Sequence, residues 1–434
     1  MADSVSVREL ALEILIEVNE HGQYSHLMLR DVLDKYQYLE KTERAFLTRL
    51  VEGTLERQIE MDYILDSFSK VKVRKMKPLI RNLLRMSVYQ LKYMDKVPDS
   101  AVCNEAVKLA GKRGFRQLSG FVNGVLRNIA RQKDHISYPK EKTENYSVRY
   151  SIPKWMVEMW MEDYGEEKTK VILEGFFKEK SLWIRTNLTA VSPDELYREL
   201  VAEGITVERS KTLDYAFAIS GFDHLSGLLS FQKGLFYVQD ISSMMVAETA
   251  APKEGDYVID VCAAPGGKST HIAEKLKGTG MVEARDLTEY KVSLIEENIE
   301  RHRLKNMKAV CMDATVVDEA SVGKADILVC DLPCSGLGVM GKKTDIRYKM
   351  TPEKQKDLVE LQREILSAVE GYLKDGGTLV YSTCTIHKQE NEENVKWFLE
   401  KYPQYSLVSM EQMLPGETSA DGFFIARLLK NKEC

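Results

Sequence analysis

The sequence predicts a multidomain protein in three parts: an all-α bundle, a small α+β module, and an α/β domain with a mostly parallel sheet. Three observations carry this reading. The chain has 434 residues, too many for one ordinary domain of roughly 100–200. Apolar residues recur at the helical period through residues 1–135. From about Ala247, short apolar runs alternate with amphipathic stretches, the βαβα pattern of a parallel sheet.

In the bundle, Val7, Leu10, Ala11, Ile14, Leu15 and Val18 share one helical face. A second helix follows Pro78, with Leu79, Ile80, Leu83, Leu84, Val88 and Leu91 inward and Lys77, Arg81, Arg85 and Lys92 on the other face. Pro98-Asp99-Ser100 opens a helix carrying Asn104, Glu105 and Lys108. Ser119 opens GFVNGVLRNIAR, where Gly120 and Gly124 permit close packing. Five to seven helices with short loops make a bundle. The stretch KDHISYPKEKTEN is polar and aperiodic, so residues 136–149 read as a linker.

Residues 150–238 read as the small module. Ser192-Pro193-Asp194-Glu195 is a helix start. Strand candidates flank it: Leu182–Asn187, Ile205–Arg209, Tyr215–Ile219 and Leu235–Val238. Residues 239–434 form the α/β domain, with strands expected at Tyr257–Val261, Met281–Ala284, Ala309–Met312, Ile327–Cys330 and Thr378–Tyr381. Two more, Ser406–Ser409 and Phe423–Leu428, follow with no helix between them, which predicts an antiparallel hairpin closing a parallel sheet.

Apolar content of 44% and charged content of 29% are those of a globular protein. No apolar run approaches the roughly 20 residues that span a bilayer, and MADSVSVREL has no signal-peptide pattern. A cytoplasmic protein without a membrane partner is expected. The net charge of −5 hides an asymmetry: residues 70–140 carry 17 Lys/Arg against 4 Asp/Glu, whereas residues 1–69 carry 7 against 14. A basic block inside an acidic protein is the footprint of a polyanion such as nucleic acid; the competing reading is a solvated face.

Seven cysteines, an odd number, do not form a disulfide framework in a cytoplasmic chain. No CxxC occurs, so no metal site is expected. Cys103, Cys262, Cys311 and Cys330 read as core thiols, and Cys434 is uninformative.

The first strand of the α/β domain runs into CAAPGGKST, and a helix follows. Cys262, Ala263, Ala264, Pro265, Gly266, Gly267 and Lys268 form this loop, whose glycines allow close backbone approach to a ligand. It is neither a Walker A loop nor a full GxGxxG. Asp286 ends the second strand and Asp313 the third, placed to accept hydrogen bonds from ribose hydroxyls. Their competing role is helix capping. A ligand with a ribose and a carboxylate but no phosphate fits best, and S-adenosyl-L-methionine is one.

Two further cysteines end apolar runs: Cys334 in ADILVCDLPCSGLG and Cys384 in GGTLVYSTCT. Pro333 forces the chain out of the sheet and presents Asp331 and Cys334 to the crevice. Two thiols at strand ends suggest a covalent step and a second, separate task.

CAAPGGKST, DLPCSGLGV and LVYSTCTIHKQENEENV resemble the motifs of RNA cytosine-5 methyltransferases, and PGETSADGFFIARLLK is similar to that family's closing hairpin. NEAVKLAGKRG and GFVNGVLRNIAR resemble the antitermination factor NusB. The combination resembles the 16S ribosomal RNA cytosine-5 methyltransferases of the RsmB/Sun type. That resemblance implies a NusB-like RNA-binding bundle, a ferredoxin- or RRM-like module, and a Rossmann-like domain that binds S-adenosyl-L-methionine. It implies Cys384 as nucleophile, Cys334 as the base that assists release, and Asp331 as the group at the cytosine edge. Lys268 is expected to orient Asp331 or lower a thiol pKa, against a plain role in anchoring the loop. Lys77, Arg81, Arg85, Lys92 and Arg347 are the expected RNA contacts; Arg347 and Tyr348 read equally as surface residues. The expected partner is 16S ribosomal RNA, bound by a monomer. A DNA cytosine-5 methyltransferase would use the Pro-Cys thiol alone, and a non-catalytic RNA-binding protein would need neither thiol.

Overall fold

A computed structural model of the chain describes residues 6–178 and 181–432. They fall into two compact units, Met1–Glu174 with Met340–Lys349, and Gly175–Val339 with Met350–Cys434.

The first unit is helical. Its main helices are α1 (Val7–His21), α2 (Ser25–Lys35), α3 (Lys41–Glu56), α4 (Gln58–Phe68), α5 (Pro78–Tyr93), α6 (Asp99–Lys112) and α7 (Ser119–Gln132). Gly22 ends α1 in the left-handed conformation (φ 75°), and Glu40 and Glu43 form a capping box on α3. The predicted stripes are buried: Leu10, Ala11, Ile14, Leu15 and Val18 on α1 meet Ile80, Leu83, Leu84, Val88 and Leu91 of α5 in one core.

The segment expected as a linker holds α8 (Lys142–Tyr150), and α9 (Lys154–Gly175) follows, bent at Gly165. The Glu141 carboxylate starts α8 by accepting the N–H groups of Thr143 and Glu144 at 2.9 and 2.8 Å. Only Ser147 and Val148 of this helix are buried, so it shows no apolar period.

Arg347 is fully buried in this unit, which corrects its reading as an RNA contact. Its Nη1 donates to the Glu56 carbonyl at 3.0 Å, and its Nη2 to the Met340 carbonyl at 3.1 Å. Tyr348 donates to the Leu55 carbonyl at 2.6 Å. Glu56 is the last residue of α3. A cation there meets carbonyls that have no partner within the helix and the negative end of its dipole.

The second unit holds two sheets. The smaller is antiparallel, ordered β2-β3-β1-β4 from β1 (Leu182–Thr186), β2 (Thr206–Arg209), β3 (Ala216–Ser220) and β4 (Phe236–Val238). It is covered by α10 (Pro193–Ala202), whose Leu196 and Leu200 pack on Ile184 and Phe217. Ser192 and Glu195 form the expected capping box. A short α11 (Leu229–Gln232) precedes β4, and α12 (Ile241–Ala250) follows it.

The larger sheet contains β5 (Tyr257–Asp260), β6 (Met281–Asp286), β7 (Met307–Cys311), β8 (Ala325–Asp331), β9 (Leu373–Thr383), β10 (Tyr405–Met413) and β11 (Phe423–Lys430). Its order is β10-β11-β9-β8-β5-β6-β7. β9 through β7 are parallel, and β10 and β11 form the expected antiparallel hairpin. Its helices are α13 (Gly267–Lys275), α14 (Glu289–His302), α16 (Pro352–Val369) and α17 (Glu392–Lys401); the short α15 (Ile346–Lys349) belongs to the helical unit. Strand order reverses between β5 and β8, so a ligand crevice opens at their carboxyl ends. Among the described residues, no helix is long and apolar enough to cross a membrane.

Replacing Arg347 by Ala strips two buried carbonyls of a charged donor and leaves a void. We expect Arg347→Ala to destabilise the helical unit by about 2–4 kcal/mol in denaturant unfolding. A change under about 0.5 kcal/mol would refute the capping role.

Candidate active site

The crevice is built from two strand ends. β5 ends at Asp260, and the chain turns through Cys262–Gly266 into α13. Gly266 adopts φ 99°, and the Ala264–Pro265 peptide is cis. The Asp286 carboxylate, at the end of β6, accepts the Ala264 N–H at 2.9 Å and the Leu287 N–H at 2.8 Å, and pairs with Lys291 at 2.9 Å. Asp286 is thus both a brace for the glycine loop and an acid on the crevice rim. Asp313 is exposed and uses Oδ1 to close a turn on Thr315, at 2.9 Å to its N–H and 2.7 Å to its hydroxyl. Those bonds close a turn and cap no helix, because the next helical residues begin only at Glu319. Cys262 is half-buried, and burial beside Asp260 and Asp286 pushes its thiol pKa up. The first N–H groups of α13 have no acceptor within their own helix. A loop with these amides, an acid at the second strand end and the exposed Leu287 beside it fits a ligand carrying a carboxylate, a ribose and an apolar ring.

The second strand end supplies the thiols. β8 and β9 are parallel neighbours, with Asp331 opposite Ser382 in register. Ser382 therefore donates to Asp331 Oδ1 at 2.8 Å, and Lys268, from the glycine loop, donates to Asp331 Oδ2 at 2.6 Å. Cys334 lies three residues past the end of β8 and Cys384 one past the end of β9, and there the loops converge, with Cys334 Sγ 3.3 Å from Cys384 Sγ. Both thiols are partly exposed. The crevice thus gathers Lys268, Asp331, Cys334 and Cys384, as the sequence predicts. Burial alone would pull the Lys268 pKa down, but Asp331, Cys384 and Asp260 raise it, so it stays charged. The hydrogen bond with Cys384, followed by burial and the Cys384 and Glu390 charges, pushes the Cys334 thiol pKa up.

Sequence reasoning missed the groups that hold these loops. Glu390 is fully buried. Its carboxylate accepts the Ser335 N–H at 2.8 Å, the Ser335 hydroxyl, and Gln362 Nε2 at 3.0 Å, and it contacts His387 Nδ1 at 3.1 Å. Ser335 and Thr385 hydroxyls meet at 2.7 Å, joining the two cysteine loops directly. Gly338 donates to the Cys384 carbonyl at 3.1 Å and accepts from the Gly422 N–H at 3.0 Å. A Cβ on Gly338 would strike the Gly422 carbonyl, so only glycine fits this crossing. The acid-rich run QENEENV was the available signal, but nothing in its spacing says which carboxylate turns inward.

Cys330 and Cys103 are buried as expected. Cys311 is exposed, contrary to the core reading. It sits on β7, the edge strand, where one face lacks cover. Of the expected RNA contacts, Lys77 is exposed at the start of α5. The others are engaged within the helical unit. Arg81 pairs with Glu20, its Nε at 2.8 Å; Arg85 is buried against Asp62 at 2.6 and 2.7 Å; Lys92 lies 3.2 Å from Glu60. A run of exposed cations, Lys70, Lys72, Arg74, Lys75 and Lys77, lies just upstream around buried Val73 and Met76.

Behind Lys268 lies a second acid. Asp260 is wholly buried and accepts the Ser269 hydroxyl. Burial, with Asp331 nearby, pushes its pKa up to about 7 against the opposing pull of Ser269 and Lys268. The unfolded chain ionises this group near pH 4, whereas the folded chain keeps the proton until about pH 7. Its contribution to stability is therefore present at low pH and lost as pH rises through that window. Asn mimics the protonated form. We expect Asp260→Asn to match the wild type near pH 4 and to gain up to about 4 kcal/mol over it by pH 8. Parallel stability curves across that range would refute the assignment.

The comparisons with known proteins agree with this geometry. Residues 247–429 match the family described as 16S rRNA methyltransferase RsmB/F. Residues 5–131 match the NusB family, and residues 152–222 the ferredoxin-like domain of RsmF/B-like methyltransferases. A probable ribosomal RNA small subunit methyltransferase B of Bacillus subtilis (strain 168) is 38% identical, covering 98% of this chain and 99% of the relative. That of Cronobacter sakazakii is 30% identical over 99% and 100% of the two chains. The solved structure of PH0851 superposes with a TM-score of 0.84 at 26% identity, covering 99% of both chains. NSun6 from Pyrococcus horikoshii, solved with SFG, gives a TM-score of 0.58 at 26% identity over 65% of this chain and 99% of its own. With a NusB domain, a ferredoxin-like domain and a Rossmann-like methyltransferase domain in one chain, and full-length relatives above 30% identity, the protein belongs to the ribosomal RNA small subunit methyltransferase B family.

Proposed function

We propose that the protein methylates C5 of a cytosine in 16S ribosomal RNA through a covalent bond between Cys384 and C6 of the base, using S-adenosyl-L-methionine. The observation that carries this reading is the pair of thiols 3.3 Å apart beside the Lys268–Asp331 ion pair.

Cytosine C5 is a poor nucleophile. Attack of the Cys384 thiolate on C6 forms an S–C6 bond and shifts the C5–C6 electron pair toward C5, which is nucleophilic catalysis. The charged Lys268, within reach of Cys384's field, favours the thiolate. Asp331, held by Lys268 and Ser382, is poised to bond the base edge and favour its protonated form as the adduct builds. Cys262–Lys268, with Asp286 and Asp313 on the rim, would hold the cofactor, which would supply the electrophilic methyl group. Release needs a base for the C5 proton; the C–H electrons restore the C5–C6 double bond and Cys384 leaves as thiolate. Cys334 is that base.

The thiol pair sets the order of events. Two thiolates at 3.3 Å repel strongly, so the pair titrates as a unit and Cys334 keeps its proton while Cys384 is charged. Once Cys384 is bonded to C6 its charge is gone, and Cys334 is free to ionise and accept the C5 proton.

The target base must leave its stack, at a cost of a few kcal/mol. Phosphate contacts offset this, and the exposed cations between Lys70 and Lys77 are the side chains to make them. This substrate class places the protein in the cytoplasm.

Two variants test the roles. Cys384→Ala should lower methyl transfer by at least about 1,000-fold and form no adduct. Cys334→Ala should still attack and should accumulate a covalent protein–RNA species on a denaturing gel. Retained activity in the first removes the nucleophile assignment, and normal turnover without adduct in the second removes the release role.

A further inference from the structure

We infer that Arg185, in the ferredoxin-like module, is a positioning residue for the cofactor loop of the methyltransferase domain. This rests on the reading of Cys262–Lys268 as the methyl-donor site.

Arg185 lies on β1, the strand flanked by β3 and β4, and is fully buried. An arginine sealed from water is costly unless its donors are met; the terminal Nη1 and Nη2 of Arg185 are met, whereas its Nε has no partner among the described residues. Three of its acceptors lie on α13: the Gly267 carbonyl at 2.8 Å, the Thr270 hydroxyl at 3.2 Å and the Glu274 carboxylate at 2.9 Å. A fourth, Gln239, follows β4. The guanidinium also lies 5.4 Å from the centre of the Tyr237 ring.

The bond to Gly267 is the informative one. Across a planar trans peptide the carbonyl and the next N–H point in opposite directions. Holding the Gly267 oxygen from behind therefore aims the Lys268 N–H the other way and sets the base of the Lys268 side chain that reaches Asp331. Tyr237 acts on the same loop independently. Its hydroxyl donates to the Pro265 carbonyl at 3.3 Å, and its ring lies 3.2 Å from where a Cβ on Gly267 would be. β1 and β4 thus form the back wall of the glycine loop. A residue serving only to join two domains had no need to bond the backbone of the ligand-binding turn.

The test uses the full-length protein. Binding of S-adenosylhomocysteine is measured by calorimetry, KM is measured separately for S-adenosyl-L-methionine and for RNA, and unfolding is followed by denaturant. Arg185→Met should weaken S-adenosylhomocysteine binding and raise the donor KM tenfold or more, with the RNA KM within twofold of wild type. Arg185→Lys keeps a cation facing Glu274 but lacks the planar fork, so it should fold as wild type and recover only part of the donor affinity. A folded variant with donor binding within twofold of wild type overturns the proposal. So does an equal rise in both KM values, or failure of both variants to fold, which would make Arg185 a folding determinant only. If the wild type itself fails to bind S-adenosylhomocysteine, it is the donor-site reading that falls.

Discussion

The active site depends on one buried carboxylate. Glu390 has no exposed surface, and its four contacts come from three places: the loop after β8, the loop after β9, and α16. A carboxylate out of water costs several kcal/mol unless its lone pairs are filled. Filling them requires Ser335, Gln362 and His387 to converge, and that convergence brings Cys334 and Cys384 within 3.3 Å. A thiol–thiol hydrogen bond is weak; the two thiols are neighbours chiefly because the chains that carry them are tied to the same acid. Tyr381 adds to the tie by donating to the Glu390 carbonyl from within β9.

The same site is closed by backbone rather than by side chains on its other side. Gly338 crosses Gly422 just before β11, the second strand of the closing hairpin, with its N–H on the Cys384 carbonyl. Parallel strands supply the polar ends, and the antiparallel hairpin supplies the cover. The charged groups then divide by depth. Lys268 stands between Asp331, at the crevice, and Asp260, sealed behind it. One cation serves two acids; burial raises the pKa of the inner one, and the outer one is left at the crevice.

Charge in the helical unit obeys a similar logic. A dense basic block suggests a surface for phosphate, but burial redistributes it. Arg85 and Arg347 are nearly or fully buried, one against Asp62 and the other at the end of α3. The positive charge that remains at the surface includes a dense short run from Lys70 to Lys77, interrupted by buried Val73 and Met76, besides scattered exposed cations such as Lys96, Arg116 and Arg131.

The sequence by itself determined most of the fold and most of the residues that the crevice gathers. Hydrophobic period assigns helices and strands because burial of one face is a local pattern, so the α1 and α5 stripes, the four short strands of the module and the closing hairpin were all legible. The two thiols, Asp331, Lys268 and the glycine loop were legible because strand ends and turn residues mark where a parallel sheet opens. Only the tertiary structure decided which charges are available. Whether Arg347 faces RNA or caps a helix, and which acid of QENEENV turns inward, both depend on partners far away in sequence. Glu390 lies 55 residues from Ser335, and Arg347 lies 291 from Glu56. A charge reads the same in sequence whether it ends in water or against a distant carbonyl, and its energy differs between the two by several kcal/mol. That difference is settled by packing alone.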